Sequence, residues 1–259
     1  MRPLALVGNL SRDRVDGGPP RIGGGPLYGA AALRLLGRRA RVLAKCADDD
    51  RRSFLRALAP IGVPVTLARA AATTSFSLTY DGEIRTMRVD DVGDDWEPAD
   101  VESLPAAAWV HVAPLLRDDF SPETLAAIAR GRRVLLDGQG LVRRRAVGPL
   151  QLDAEFDHGL LEDVSVLKLG EDEARVLEPV VELGVAEIVV TLGSKGAVVY
   201  VNGKEARVAA HPIAGVDPTG TGDVFATAYT LSRAEGFRPS AAARRATAVV
   251  AAFLSRRPK

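Results

Sequence analysis

Cysteine is almost missing from this chain: Cys46 is the only one in 259 residues, so no intrachain disulfide and no thiolate metal site can form. Aromatic residues make up only 5%, which leaves few rings on which a nucleobase could stack. Excess charge is lacking too. With 34 Lys and Arg against 33 Asp and Glu the net charge is +1, which gives no electrostatic footprint for nucleic acid. The short basic runs Arg143-Arg144-Arg145 and Arg256-Arg257 are read as solvated surface. No apolar run reaches transmembrane length, and Met1-Arg2-Pro3 leads straight into the strand-like Leu4–Val7 without the apolar core of a signal peptide. The expected compartment is the cytoplasm, with no membrane partner. His111, His158 and His211 are scattered without ligand spacing, so none is assigned a metal or a nucleophilic role. Gly8-Asn9-Leu10 follows the first strand where a dinucleotide fold needs Gly-x-Gly-x-x-Gly, and no P-loop occurs. A nicotinamide-type oxidoreductase is therefore a poor reading.

What is present suits an α/β enzyme. At 47% hydrophobic and 26% charged the chain can bury a full core, and it is read as one domain over 1–259. Leu4–Val7, Arg41–Ala44, Trp109–Val112, Val134–Leu136, Val164–Leu167 and Ile188–Thr191 read as buried strands. Gly29–Leu36, Arg51–Ala59, Pro122–Arg130 and Glu171–Leu177 read as helices between them. That alternation predicts parallel strands with crossover helices on both faces. Two segments break the rhythm, approximately 10–22 and 73–90. The second contains Ser75–Tyr80, a turn at Asp81-Gly82 and Ile84–Val89, a β-hairpin that would project as a small flap. A second hairpin over 197–209, turning at Asn202-Gly203, is expected at a sheet edge.

The most informative stretch is Val216-Asp217-Pro218-Thr219-Gly220-Thr221-Gly222-Asp223, which opens a helix-like run from Val224 to Glu235. Its glycines let N–H groups converge on an anion at a helix N-terminus. A carboxylate beside that anion would repel it unless it had work there, such as accepting the proton of an attacking hydroxyl. The same residues also suit an ordinary turn and helix cap. Upstream, Gly23-Gly24-Gly25 opens another helix and Asp13 follows the first strand, so both could meet the hydroxyls of a sugar or polyol. Thr191-Leu192-Gly193-Ser194-Lys195-Gly196 and Lys168-Leu169-Gly170-Glu171-Asp172-Glu173 suit a nucleotide. Glu173 could hold a water of hydrated Mg²⁺, or simply favour a helix start. Asp137-Gly138-Gln139 follows a strand at the edge of the expected cleft, where it reads first as a plain strand-to-loop turn, with contact of either polar side chain to substrate as the alternative.

On these motifs, in this order, the chain resembles the ribokinase-like, or PfkB, carbohydrate kinases over nearly its whole length. Gly24-Gly25, Gly170–Glu173, Thr191–Gly196 and Asp217–Asp223 correspond to that family's successive signatures, the last being the most specific. The resemblance implies a three-layer α/β/α sandwich with a small β lid, ATP as phosphoryl donor, Mg²⁺, and transfer to an alcohol group. By the same resemblance Gly220, Thr221 and Gly222 form the anion hole and Asp223 is the base. Asp13, Gly24 and Gly25 would then meet the acceptor, where Gln139 is also expected from its place at the cleft edge; Lys168, Thr191, Gly193 and Gly196 are expected at the nucleotide, and Glu173 at the metal through water. In many relatives the lid also supports dimerisation. Here its strands look short, which leaves a homodimer open. The pattern differs at Gly29 and Gly170, where the family has Asn, and at Pro218, where it has Thr. Relatives also commonly continue beyond the position of Lys259 into a loop that contributes to a monovalent-cation site, so a need for such a cation is left open. The expected acceptor is a small sugar or polyol, with a nucleoside as the alternative. A sugar- or nucleoside-binding protein of the same fold is the competing class, although it would not require Gly220–Asp223.

Overall fold

Runs that are apolar at every position fold as strands buried on both faces. The computed structural model describes residues 4–37, 40–81, 84–213 and 215–257, and within them every side chain but those of 80, 81, 84 and 85. Strand β1 (Leu4–Asn9) is buried at every position and lies at the heart of a nine-stranded sheet. The order across that sheet is β14 (Lys204–Val208), β13 (Ala197–Val201), β12 (Glu187–Thr191), β11 (Val166–Gly170), β9 (Arg133–Asp137), β8 (Trp109–Ala113), β1, β4 (Ala40–Ala47) and β5 (Val65–Ala70). From β12 through β5 every pairing is parallel. The 197–209 hairpin closes one edge in antiparallel fashion, as expected.

Alternate residues of the strands face opposite helical layers. Leu4 and Leu6 pack toward helices α1 (Gly25–Leu35), α2 (Asp48–Leu58), α6 (Thr221–Ala234) and α7 (Pro239–Leu254). Ala5 and Val7 pack toward α3 (Pro122–Ala129) and α5 (Glu171–Val176), which supply Leu125, Ile128 and Ala174. The architecture is thus the three-layer α/β/α sandwich. No helix among the described residues is long and apolar enough to cross a membrane.

Helix starts differ from the sequence reading for identifiable reasons. Helix α1 begins at Gly25, with Pro26 in its first turn, where its fixed φ is favourable. Helix α2 begins at Asp48, with three acidic residues in the first turn complementing the helix dipole. Strand β11 starts at Val166, two residues later than expected. Strand β5 had no counterpart in the sequence reading, because as an edge strand it buries only Leu67 fully.

The two irregular segments meet in one lid sheet, larger than a hairpin. Its order is β10 (Gly148–Pro149), β7 (Ile84–Asp91), β6 (Ser75–Asp81), β2 (Ser11–Val15) and β3 (Arg21–Gly23). With 7 and 8 residues, β6 and β7 are of ordinary length, not short. Gly82 of the expected turn lies outside the described residues, as does the side chain of Tyr80. Phe76, Leu78 and Val89 on this sheet bury themselves against Leu115 and Leu116 from the loop after β8.

Helices α1 and α6 approach closely because residue 29 has no side chain. A Cβ on Gly29 would lie 2.5 Å from Leu6 Cδ2 and 2.5 Å from Thr227 Oγ1. Position 29, where the family pattern has Asn, therefore faces helix packing. Gly29→Ala is expected to destabilise the fold by about 1–3 kcal/mol through overpacking. A shift in the urea midpoint would measure it, and an unchanged midpoint would disprove the close approach.

Candidate active site

The parallel strands deliver their C-terminal ends to one rim, the usual place for a ligand in an open α/β sheet. A cleft of about 230 Å³ lies there, roofed by Phe76, Leu78 and Met87 of the lid. Around it gather Asp13, Gly24, Gly25, Gln139, Lys168, Glu173, Thr191, Gly220, Thr221, Gly222 and Asp223. Gly193 and Gly196 instead line an adjoining cavity of about 200 Å³ with Ser194, His211 and the apolar Ile213, Val216, Val250 and Leu254. Thr191, Pro218, Thr221 and Gly222 border both spaces, so the start of helix α6 stands at their junction. Lys168, grouped by sequence with the nucleotide residues, lies on the cleft side of that junction.

Local chemistry shapes the α6 entrance. Asp217 Oδ1 accepts from the Thr219 amide at 2.8 Å and from the Thr219 hydroxyl at 2.6 Å, while the Thr221 hydroxyl donates to the Pro218 carbonyl at 2.8 Å. Gly220 is left-handed, with φ +79°. A side chain there would be strained, and its Cβ would also lie 2.3 Å from the Tyr28 ring. The amides of Gly222 and Asp223 belong to the first turn of a 14-residue helix, whose donors have no intrahelical partner. Gly25 serves the same end from α1, since a Cβ on it would stand 3.0 Å from Asp223 Oδ1.

Three carboxylates and two cations share the floor of the cleft. Lys168 Nζ is 3.3 Å from Asp137 Oδ1 and so near Gly222 that a Cβ there would meet it at 3.1 Å. Burial opposes the charge of Lys168, but Asp137, Glu173 and Asp223 outweigh it and raise the ammonium pKa. Asp223 is pushed up to about 7, by burial first and by Asp137 next, against the pull of Lys168 and Arg143. Asp137 and Gln139 are both nearly fully buried, and the Gln139 amide donates to the Pro114 carbonyl. Glu173 uses Oε2 to cap α5, accepting from the Gly170 amide at 2.7 Å, and turns Oε1 toward Arg143 at 3.6 Å.

Of the basic runs only Arg144 and Arg256 are exposed. Arg143 lines the cleft, and Arg145 donates to the carbonyls of Gly93 and Asp118 and pairs with Asp119 at 3.4 Å. Arg257 donates to the Asp217 carbonyl. Arg143 follows directly on the short helix α4 (Gln139–Val142), whose residues are all buried. A usable signal was present: Gln139 and Arg143 are four residues apart, the spacing that puts two side chains on one helical face. Two aromatic rings, Tyr28 and Phe76, line the cleft.

No three metal-ligating side chains converge among the described residues. Asp137 and Glu173 nevertheless offer the carboxylate chemistry that suits a Mg²⁺ ion retaining most of its waters and held largely by donor phosphates.

Comparison with known proteins gives a consistent picture. The model of the pfkB family carbohydrate kinases matches residues 20–257. The inositol 3-kinase of Oryza sativa subsp. japonica is 31% identical over 252 residues, covering 86% of this chain and 61% of that protein. The chain therefore spans about three fifths of the length of that curated relative. Among solved structures, a pyrophosphate-dependent kinase in the ribokinase family, complexed with a pyrophosphate analog and myo-inositol, superposes with a TM-score of 0.86 at 24% identity, over 97% of this chain and 95% of that one. Arabidopsis thaliana ribokinase complexed with ribose and ATP superposes at 0.73 and 20% identity, over 99% and 94%. At these identities the likeness to the two structures is one of fold.

The raised pKa of Asp223 carries a stability consequence. Between its ordinary value of 3.8 and about 7 the folded state binds the proton more readily than the unfolded state does. The contribution of this group is thus greatest at low pH and is lost as pH rises through 7. Asp223→Asn should accordingly melt higher than the wild type at pH 8, by about 2–4 °C per kcal/mol recovered, with the gap closing toward pH 4. Melting curves across that range test it, and a lower melting point for the variant at pH 8 would refute the proposed charge environment.

Proposed function

From the premise that the chain belongs to the pfkB family of carbohydrate kinases, we propose that it moves the γ-phosphoryl group of ATP to a hydroxyl of a small sugar or polyol, with a cyclic polyol such as an inositol as first candidate. One observation carries this reading. The raised-pKa carboxyl of Asp223 stands at the α6 N-terminus beside Gly222, with Lys168 Nζ against the same glycine. Base, anion hole and cation thus converge on a point between the two spaces, one for acceptor and one for donor.

The chemistry then follows. Asp13, Gly24-Gly25 and Gln139 hold the acceptor under the lid, whose Phe76, Leu78 and Met87 exclude water. Asp223 takes the proton of the reacting hydroxyl as its oxygen bonds to the γ-phosphorus. The bond to the bridging oxygen breaks, and ADP leaves with that electron pair. The amides at the start of α6, Lys168 and Arg143 face the charge that develops on the equatorial oxygens. Mg²⁺, when bound, neutralises donor phosphates, with Glu173 and Asp137 as the side chains that would hold its waters. The donor base would enter the apolar cavity walled by Ile213, Val216, Val250 and Leu254, with Thr191, Gly193 and Gly196 at its mouth.

Pyrophosphate as donor is a second reading, favoured by the likeness to the pyrophosphate-dependent kinase. It would use the anion hole, Lys168 and Arg143 and leave the apolar cavity unused. The related inositol 3-kinase likewise supports a polyol acceptor over a nucleoside.

The test is product formation from ATP or pyrophosphate against inositols, pentoses, hexoses and nucleosides. Acceptor-dependent transfer should fall by about 10²–10⁴-fold in Asp223→Asn, the range for a general base. Asp13→Ala should raise the KM of the acceptor well above any change in that of the donor. Val250→Trp, which fills the apolar cavity, should abolish use of ATP and spare use of pyrophosphate. Thermal stabilisation by a polyol without transfer from either donor would refute the kinase and leave a binding protein.

A further inference from the structure

Arg257 makes contacts that its sequence context, at the end of a basic run, does not foretell. Its guanidinium donates to the carbonyl of Asp217, forty residues away in sequence, and stands 3.9 Å from Asp217 Oδ2. It also lies 4.5 Å from the centroid of the Phe253 ring and 5.8 Å from that of Tyr28, both within cation–π range. The side chain is only 19% exposed. Asp217 in turn holds Thr219 by two hydrogen bonds, and Thr219 precedes Gly220, whose backbone packs on the Tyr28 ring. A continuous set of contacts therefore runs from Arg257 to the residues that open helix α6. Burial of the Asp217 carboxyl opposes its ionisation, yet the Thr219 hydrogen bonds and the charges of Arg257 and Arg21 hold its pKa below the ordinary value. Asp217 thus stays an anion facing a fixed cation.

We infer that Arg257 is a positioning residue for phosphoryl transfer, a built-in cation that fastens the anion-hole loop Asp217–Gly220 to helix α7 and to Tyr28. The inference rests on the phosphotransfer reading above. Its physical basis is that hydrogen-bond donors stabilise a transition state only when held in place beforehand. At the start of this loop the Asp217 side chain is 42% exposed, so burial does little to hold that end in place.

The test compares the wild type with Arg257→Ala and Arg257→Leu, the latter keeping an apolar side chain against Tyr28 and Phe253. Both variants should lose about 10–100-fold in kcat, the scale of a small misplacement of catalytic groups, with the acceptor KM within about twofold. Guanidinium chloride at non-denaturing concentration should restore part of kcat in Arg257→Ala and none in Asp223→Asn. Wild-type kcat in either variant, or a loss in both that guanidinium does not relieve, would overturn the inference. A readout free of turnover separates it from the kinase reading. Inorganic phosphate should raise the melting temperature of the wild type and of Asp223→Asn, and Arg257→Ala should need roughly tenfold more phosphate for the same rise, as lost preorganisation predicts. If no acceptor is phosphorylated yet this difference holds, the kinase reading fails and the fastening stands. Equal phosphate sensitivity in all three overturns the fastening whatever the activity.

Discussion

The structure is organised around a carboxylate crowded by others of its own charge. Asp223 sits in the first turn of α6, close to Asp137 and Glu173, and like charges so near in a partly dry cleft cannot all remain ionised without help. Lys168 and Arg143 supply that help. The residual cost appears as the raised pKa of Asp223, and a base poised near neutrality is what proton abstraction from a hydroxyl requires. The strain in the charge balance and the proposed chemistry are therefore one feature, an instance of a functional site held at the expense of stability.

Bringing those charges together is a backbone problem before it is a side-chain one. Lys168 comes from β11, Asp137 from the end of β9 and Glu173 from the first turn of α5, so the parallel pairing of β9 with β11 fixes their relative heights. Asp223 arrives from the far end of the chain on α6, which nests against α1 because Gly29 leaves room. Gly25 and Gly220 allow the same closeness at the cleft itself. The lid, assembled from three distant segments, covers the cleft with Phe76, Leu78 and Met87.

Much of this was legible in the residues. Buried parallel strands announce themselves as unbroken apolar runs, so six of them were found with small errors at the ends. The glycine-rich entrance of α6 and the acid that follows it have a local mechanism that spacing expresses directly. The edge strand β5 and the two-residue β10 were invisible because neither carries a periodic apolar pattern. Arg143, Arg145 and Arg257 were misjudged for a different reason. A basic run on a linear chain resembles solvated surface, and only the course of the backbone turns some of its members inward.

Amino-acid order alone determined the layered α/β/α class, the glycine-rich turn at Gly220–Gly222 and the candidacy of Asp223, because each depends on interactions within a few residues or on burial periodicity. Tertiary structure alone decided which charges neutralise Asp223, where the second cavity opens, how the lid sheet is assembled and that Arg257 reaches Asp217. Those are contacts between segments tens to more than a hundred residues apart. Their geometry is set by strand register and by how closely helices can approach, which no local pattern encodes.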